Sequence, residues 1–327
     1  MHTYQTRWRG FFQRAMDRSG RYLPQMTAIM QREGLPAELA YLPFVESGFR
    51  TEAVSSAGAV GQWQFIPATG RRYGLRIDKY VDERRDPVKS THAAARYLRD
   101  LYEMFGSWHL SLAAYNTGEG NVARAIERNG GGNYWEMMEN GELHPETCDF
   151  VPLFLAALHI ARHPEEHGFY QPAEPPLRYD LVKVDRPVSL RTLARMVGAS
   201  AEEVADLNPA LVRGMTPPDP EGYRVRVPEG TKQVFEFAYA RMIQEARQVQ
   251  AVAQATQTGG SYRVQRGDTV ASIAKRFGVS VASLNQANRW RNPNHLQAGT
   301  IVHLPGGPTK AAPVKVASKG NHGRRMN

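Results

Sequence analysis

Cysteine is nearly absent. Cys148 stands alone in 327 residues, so no intrachain disulfide can staple the fold. A membrane-length apolar run is missing too. The longest, Val151 to Ala161, is interrupted by Pro152 and His159 and is too short to span a bilayer. The opening MHTYQTRWRGFF has no apolar core of the kind a signal peptide needs. If the chain works outside the cytoplasm, its export signal or lipid anchor is expected to have been removed or to lie upstream of Met1. No zinc-finger or RNP-type signature is present, so the basic charge does not indicate nucleic acid. Acids are lacking from residues 306–327, which hold Lys310, Lys315, Lys319, Arg324 and Arg325. This segment is expected to be a disordered, solvated basic tail. It could touch membrane or an acidic polymer at its periphery.

What is present is an ordinary globular composition, 42% apolar and 22% charged, long enough for two or three domains. A net charge of +9 favours polyanionic partners in general. Apolar residues recur at helical spacing from 7 to 34, closing at Gly34. Pro36 opens a second helical stretch through Leu39, Leu42 and Val45, which places Glu46 near its end. Asp86-Pro87 starts a long amphipathic helix. Another runs from Trp108 into Tyr115-Asn116, and a last one covers 147–162. We expect an all-α domain over 1–165, then a Pro-rich linker at 166–179.

The second half repeats itself. Leu193-Ala194, Gly198, Val204, Leu207 and Asn208 return as Ile273-Ala274, Gly278, Leu284, Ala287 and Asn288, at an offset of 80. The closing Val225 to Pro228 returns as Val302 to Pro305 at an offset of 77. The first copy therefore has three extra residues in its last loop, at TPPDPEG. This is a repeat of small βααβ units, expected at 180–229 and 261–305, with a helix and linker at 230–260.

Within residues 39–65, Glu46 is the only acid with apolar neighbours on both sides, with Leu42, Phe44 and Val45 before it and Phe49 after. Poor solvation favours the neutral carboxyl, which is what a general acid near neutral pH needs. Glycosidases usually place a second carboxylate across the scissile bond. Glu52, Asp86 and Glu119 all lack a comparable setting, and Asp86 reads as a helix cap. A single acid suffices if the substrate supplies its own nucleophile. His163-Pro164-Glu165-Glu166-His167 has the spacing of a zinc-peptidase motif, but Pro164 and Gly168 argue against a helix presenting both histidines.

Glu46-Ser47, Ser55, the run Gly58 to Phe65 (GAVGQWQF) and Ala114-Tyr115-Asn116 resemble, in order and spacing, the motifs of family 1 lytic transglycosylases. GQWQF, DERRDP at 82–87 and the C-terminal repeat are similar to the membrane-bound lytic murein transglycosylase D subfamily. Gln62 departs from the apolar residue many members carry. The resemblance implies a lysozyme-like all-α fold acting on peptidoglycan glycan strands, with no cofactor and no metal. It implies that Glu46 protonates the oxygen between MurNAc and GlcNAc, then takes the proton of the 6-hydroxyl as 1,6-anhydro-MurNAc closes. Ser55 would bond the substrate's N-acetyl group, Gln64 would contact the glycan, Tyr115 would bond Glu46, and Asn116 would brace the loop. Trp63 and Phe65 could stack on sugars or pack in the core. The second repeat resembles a LysM module, whose sugar would lie between Gly267-Asp268-Thr269 and Asn294-His295-Leu296. Pro187-Val188-Ser189 replaces the first of these loops in the earlier copy, which is read as structural. The implied setting is the bacterial cell envelope, periplasmic or outer-membrane-associated, and the chain is expected to be a monomer. Rival readings are a goose-type-lysozyme-like hydrolase, a metallopeptidase and a non-catalytic wall-binding scaffold.

Overall fold

The computed structural model describes residues 1–257, 260–290 and 296–305, with side chains of 251–257 excepted. Contacts divide the chain into two compact units, Met1–Glu236 and Phe237–Asn327. The first begins with helices: α1 (His2–Gln5), α2 (Arg9–Arg32), α3 (Pro43–Glu46), α4 (Pro67–Arg72), α5 (Pro87–Phe105), α6 (Trp108–Thr117), α7 (Glu119–Asn129), α8 (Tyr134–Glu139) and α9 (Pro145–Arg162). No strand-paired sheet forms among them, only isolated bridges such as Val54–Val60 and Val60–Phe65. α2, α5, α6 and α9 enclose one core in which Phe12, Met26, Met30, Leu98, Ala113 and Phe154 are buried.

The stretch opened by Pro36 is not one helix. A 3-10 turn at Ala37–Tyr41 precedes α3, because Pro43 cannot donate to the preceding turn. α5 starts where Asp86 accepts from the backbone N–H of Val88 and Lys89. It stops at Gly106, whose φ is 62°. The Pro-rich stretch after α9 is not a free tether. Phe169 is buried against Phe12, and Leu177 N–H donates to the Arg21 carbonyl on α2.

Two βααβ units follow, as the repeat requires. In the first, β1 (Tyr179–Val184) pairs antiparallel with β2 (Tyr223–Pro228), in a register that sets Val182 opposite Val225. Between them lie α10 (Leu190–Val197) and α11 (Ala201–Leu207). This copy belongs to the same compact unit as the helices. α12 (Lys232–Gln257) leads out of it. The second copy has β3 (Ser261–Arg263), α13 (Val270–Phe277), α14 (Val281–Asn288) and β4 (Ile301–His303), closed over Val264, Ile273, Phe277, Leu284 and Val302. One residue explains much of the repeat. Asn208 donates to the carbonyls of Val204 and Arg226 and accepts from Arg226 N–H. Asn288 does the same with Leu284 and His303. Each locks the second helix of its copy to the closing strand. The basic segment 306–327 lies outside the described residues.

Candidate active site

Glu46 ends α3, which packs against α2 and α9. The chain then turns through two consecutive left-handed residues, Gly48 (φ 59°) and Phe49 (φ 62°). Glycine adopts this conformation freely, whereas phenylalanine is held there by burial. Arg18 on α2 donates to the Gly48 carbonyl at 2.7 Å. The turn is pinned from beneath by Gln62: its Nε2 donates to the Phe49 carbonyl at 3.1 Å, and its own carbonyl accepts from Ser47 Oγ at 2.9 Å. Gln62 and Ser47 thus set the orientation of Glu46. Gln62 stood out in the sequence as a departure, but only the fold shows which turn it braces.

The Glu46 carboxylate is densely surrounded by protein yet still open to solvent. Among the described residues no donor bonds it. Burial pushes its pKa up to about 8, and the negative charge of Glu146 adds to the rise. Glu146 lies in the first turn of α9. No sequence signal marked it, because its proximity arises only from packing α9 on α3. The other acids go the opposite way. Burial alone would lift Glu52, but Arg50 and Thr51 hold it below the usual range. Glu119 is held down by its own backbone N–H, against a weaker upward pull from burial, and then by Arg72 and Tyr97.

Tyr115, on α6, is electrostatically coupled to Glu46. Burial, then Glu46 and Tyr97, push its phenol well up. Its hydroxyl, however, donates to the Trp63 carbonyl at 2.7 Å and not to Glu46. The expected Tyr115–Glu46 bond is therefore absent: the hydroxyl is spent on the loop that carries Gln64. Asn116 accepts from Thr147 Oγ1 at 2.9 Å, tying α6 to α9 beside Glu146.

Ser55 and Gln64 sit on one folded loop. Ser55 N–H donates to the Ala59 carbonyl, the Ser55 carbonyl accepts from Gly58 N–H, and Ser55 Oγ accepts from Ala59 N–H at 3.1 Å. The serine proton is left to donate outward. Gln64 has φ 48° and donates through Nε2 to the Gly61 carbonyl at 2.7 Å, leaving its side-chain oxygen as an acceptor. A non-glycine residue at positive φ is a strained feature of the kind held at functional sites. Trp63 and Phe65 belong to the core. Trp63 is fully buried and donates to Thr91 Oγ1 at 2.9 Å, and Phe65 packs on Tyr115 and Tyr97.

In the second copy the expected glycan loop divides. Gly267 makes the turn at φ 94°. Thr269 caps α13, forming a capping box with Ser272. Asp268 turns inward: it accepts from Tyr262 Oη and Gln265 N–H and pairs with Arg276, with 6% of its side chain exposed. It is not presented to a ligand. Leu296 packs on the module core, and Asn294 and His295 lie outside the described residues. His163 and His167 fall beyond α9, His163 just after its end and His167 as the last residue of a short 3-10 turn at Glu165–His167. Among the described residues no cluster of histidine, cysteine or acid suits a metal ion. No described helix is long and apolar enough to cross a membrane.

Residues 25–138 match the model of the transglycosylase SLT domain. Residues 178–243 match the LysM-like domain of lytic transglycosylase MltD, and 262–305 match the LysM domain. The chain is 36% identical over 293 residues to membrane-bound lytic murein transglycosylase D of Escherichia coli K12. The match covers 88% of this chain and 64% of that protein. It is 34% identical over 123 residues to membrane-bound lytic murein transglycosylase F of Maricaulis maris, covering 34% and 25% of the two chains. A crystal structure of the lytic transglycosylase Slt of Pseudomonas aeruginosa aligns over 46% of this chain and 25% of that one, at 23% identity and a TM-score of 0.37.

Proposed function

We propose that this relative of lytic murein transglycosylase D, with its SLT domain followed by a LysM-like and a LysM domain, is a peptidoglycan lytic transglycosylase. It cleaves the MurNAc-β-1,4-GlcNAc bond of glycan strands and leaves 1,6-anhydro-MurNAc ends. The carrying observation is the raised Glu46 carboxyl, at about 8. The group is protonated at neutral pH and faces no protein donor, so its proton is free for a leaving oxygen. Once ionised, the same carboxylate takes the proton of the 6-hydroxyl. The charge of Glu146 favours the cationic sugar formed between the two steps. Ser55 donates to the substrate's N-acetyl group, and the Gln64 oxygen accepts from the glycan.

The second copy serves as the wall anchor and the first as structure. The site of action is the cell envelope, where the basic tail at 306–327 can touch acidic polymer or lipid. Mass spectrometry of purified peptidoglycan digested by the protein tests the reading. Fragments one water lighter than lysozyme products are expected. Reducing-end MurNAc as the main product would make the protein a hydrolase.

A further inference from the structure

The DERRDP segment lies between the first βααβ copy and the substrate loop, and it is bonded to both. On one side it meets the copy. Arg226 on β2 makes two bonds to Asp86, at 2.8 and 2.9 Å, with both side chains less than a tenth exposed. Asp82 N–H donates to the Ala210 carbonyl at 2.9 Å. Just upstream, Arg76 makes two bonds to Asp219, and Asp219 lies in the loop that carries the three extra residues of this copy. On the other side stands Arg84. Asp82 holds it by two bonds, at 2.9 and 2.8 Å. Its remaining nitrogen donates to the carbonyls of Gly58 and Phe65, both at 3.1 Å. These carbonyls bracket the turn that holds Gln64 at positive φ. The fit is close, since a Cβ on Gly61 would come within 1.9 Å of the Arg84 carbonyl oxygen.

In the same copy the two loops that would flank a sugar are bonded to each other. Val188 N–H donates to Thr216 Oγ1, Thr216 N–H to the Val188 carbonyl, and Leu190 N–H to the Gly214 carbonyl. These bonds join the loop after the first strand to the loop before the second. A cavity of about 430 Å³ lies at the docking face, away from Glu46, with Glu83, Lys89, Asp219 and Tyr223 in its walls. Its acids are already bonded to neighbouring cations. In the second copy the position of Arg226 is His303, which is exposed.

We propose that the first copy is a brace for the active site. Through Arg226–Asp86 and Ala210–Asp82 it fixes the segment from which Arg84 holds the substrate loop. Arg226 and Arg84 are positioning residues for Ser55 and Gln64. A buried ion pair contributes little net stability but imposes one geometry, and a two-bond arginine–carboxylate pair imposes it most strictly. The assignment of Ser55 and Gln64 to substrate rests on the transglycosylase reading, whereas the mechanical link does not.

The test is Arg226→Lys in the full chain. Lysine keeps the charge beside Asp86 but cannot form the two parallel bonds. Val204→Ala, a cavity in the core of the same copy that leaves both side chains of the Arg226–Asp86 pair intact, is the control for simple destabilisation. Hydrogen exchange at residues 55–65 should accelerate about tenfold in Arg226→Lys, the scale of one lost charged bond, and stay at the wild-type rate in Val204→Ala. With soluble glycan strands, Arg226→Lys should raise KM and leave kcat and the pH profile unchanged. Unchanged exchange at 55–65 in Arg226→Lys, or equal acceleration in Val204→Ala, overturns the brace. If Arg226→Lys does not fold, Asp219→Asn at the half-buried rim should give a smaller change in the same direction, and no change there overturns the proposal equally. A wild type that releases no anhydro fragments would defeat the transglycosylase reading and leave the exchange result to decide the brace.

Discussion

Glu46 is the residue on which the activity is expected to depend, and its chemistry makes two predictions with opposite sense. Glu46→Gln keeps the shape but can neither donate nor accept the proton, so glycan release should fall by ~10²–10⁴-fold or more. Folding should be retained. In the wild type, kcat/KM should decline as pH rises through about 8, where the acid loses its proton. Stability follows the same titration. The folded-state pKa lies above the unfolded value, so the contribution of this carboxyl is fully present below about 4.5 and is lost as pH rises to about 8. The glutamine variant carries no such charge. Its melting temperature should therefore exceed the wild type's by more at pH 8.5 than at pH 5, with each kcal/mol worth about 2–4 °C in a domain of this size. An equal gap at both pH values would mean that the carboxyl is not desolvated. Gly61 belongs to the same scale. It combines φ 85° with the contact to the Arg84 carbonyl. Gly61→Ala should cost at least about 1–3 kcal/mol, read from denaturant unfolding, and should disturb Gln64 as well.

Among the elements, the short ones carry the site and the long ones carry the core. α3 is four residues long and could not persist alone. It is held by its packing on α2 and α9 and by the Gln62 clamp on the turn that follows. In the repeats, the asparagine that ends each second helix substitutes for sheet length, since β3 and β4 have only three residues each. Asn288→Ala removes three bonds and should cost about 1–3 kcal/mol. The loss should appear as faster hydrogen exchange at His303 and Leu284, with residues 1–230 unaffected. Exchange spreading into the helical region would show that the second copy does not fold as an independent element.

For the whole molecule, the two copies of one unit have separate physical fates. The first is docked by a buried ion pair, and the loop after its first strand is bonded to the loop before its second. In the second, the expected sugar loop is formed by Gly267 and Thr269, while Asp268 serves its interior. Retention on insoluble peptidoglycan or chitin should therefore reside in residues 261–305. A chain ending at Gln257 should lose most of the retention that the full chain shows in a pull-down. Undiminished retention would return glycan binding to the first copy or to the catalytic groove.

Periodicity and punctuation determined the helical first half and the βααβ repeat, because each is encoded locally. Apolar spacing marks a helix face, Asp-Pro marks a helix start, and the fixed offsets reveal a duplicated unit. Local composition alone left Glu46 readable as a solvated helix-end acid, and it was the order and spacing of Glu46, Ser55, Gln64 and Tyr115-Asn116 that singled it out. The tertiary structure alone decided how the site is wired. It brought Glu146 near Glu46 across the sequence by packing α9 on α3. It turned the Tyr115 hydroxyl to the Trp63 carbonyl and drew Trp63 into the core. It joined Asp86 to Arg226 across 140 positions, so that a residue legible as a helix cap also became a docking partner. These are pairings between distant segments. A side chain's identity states which bonds it can make, but only the packed fold determines which partner stands within reach.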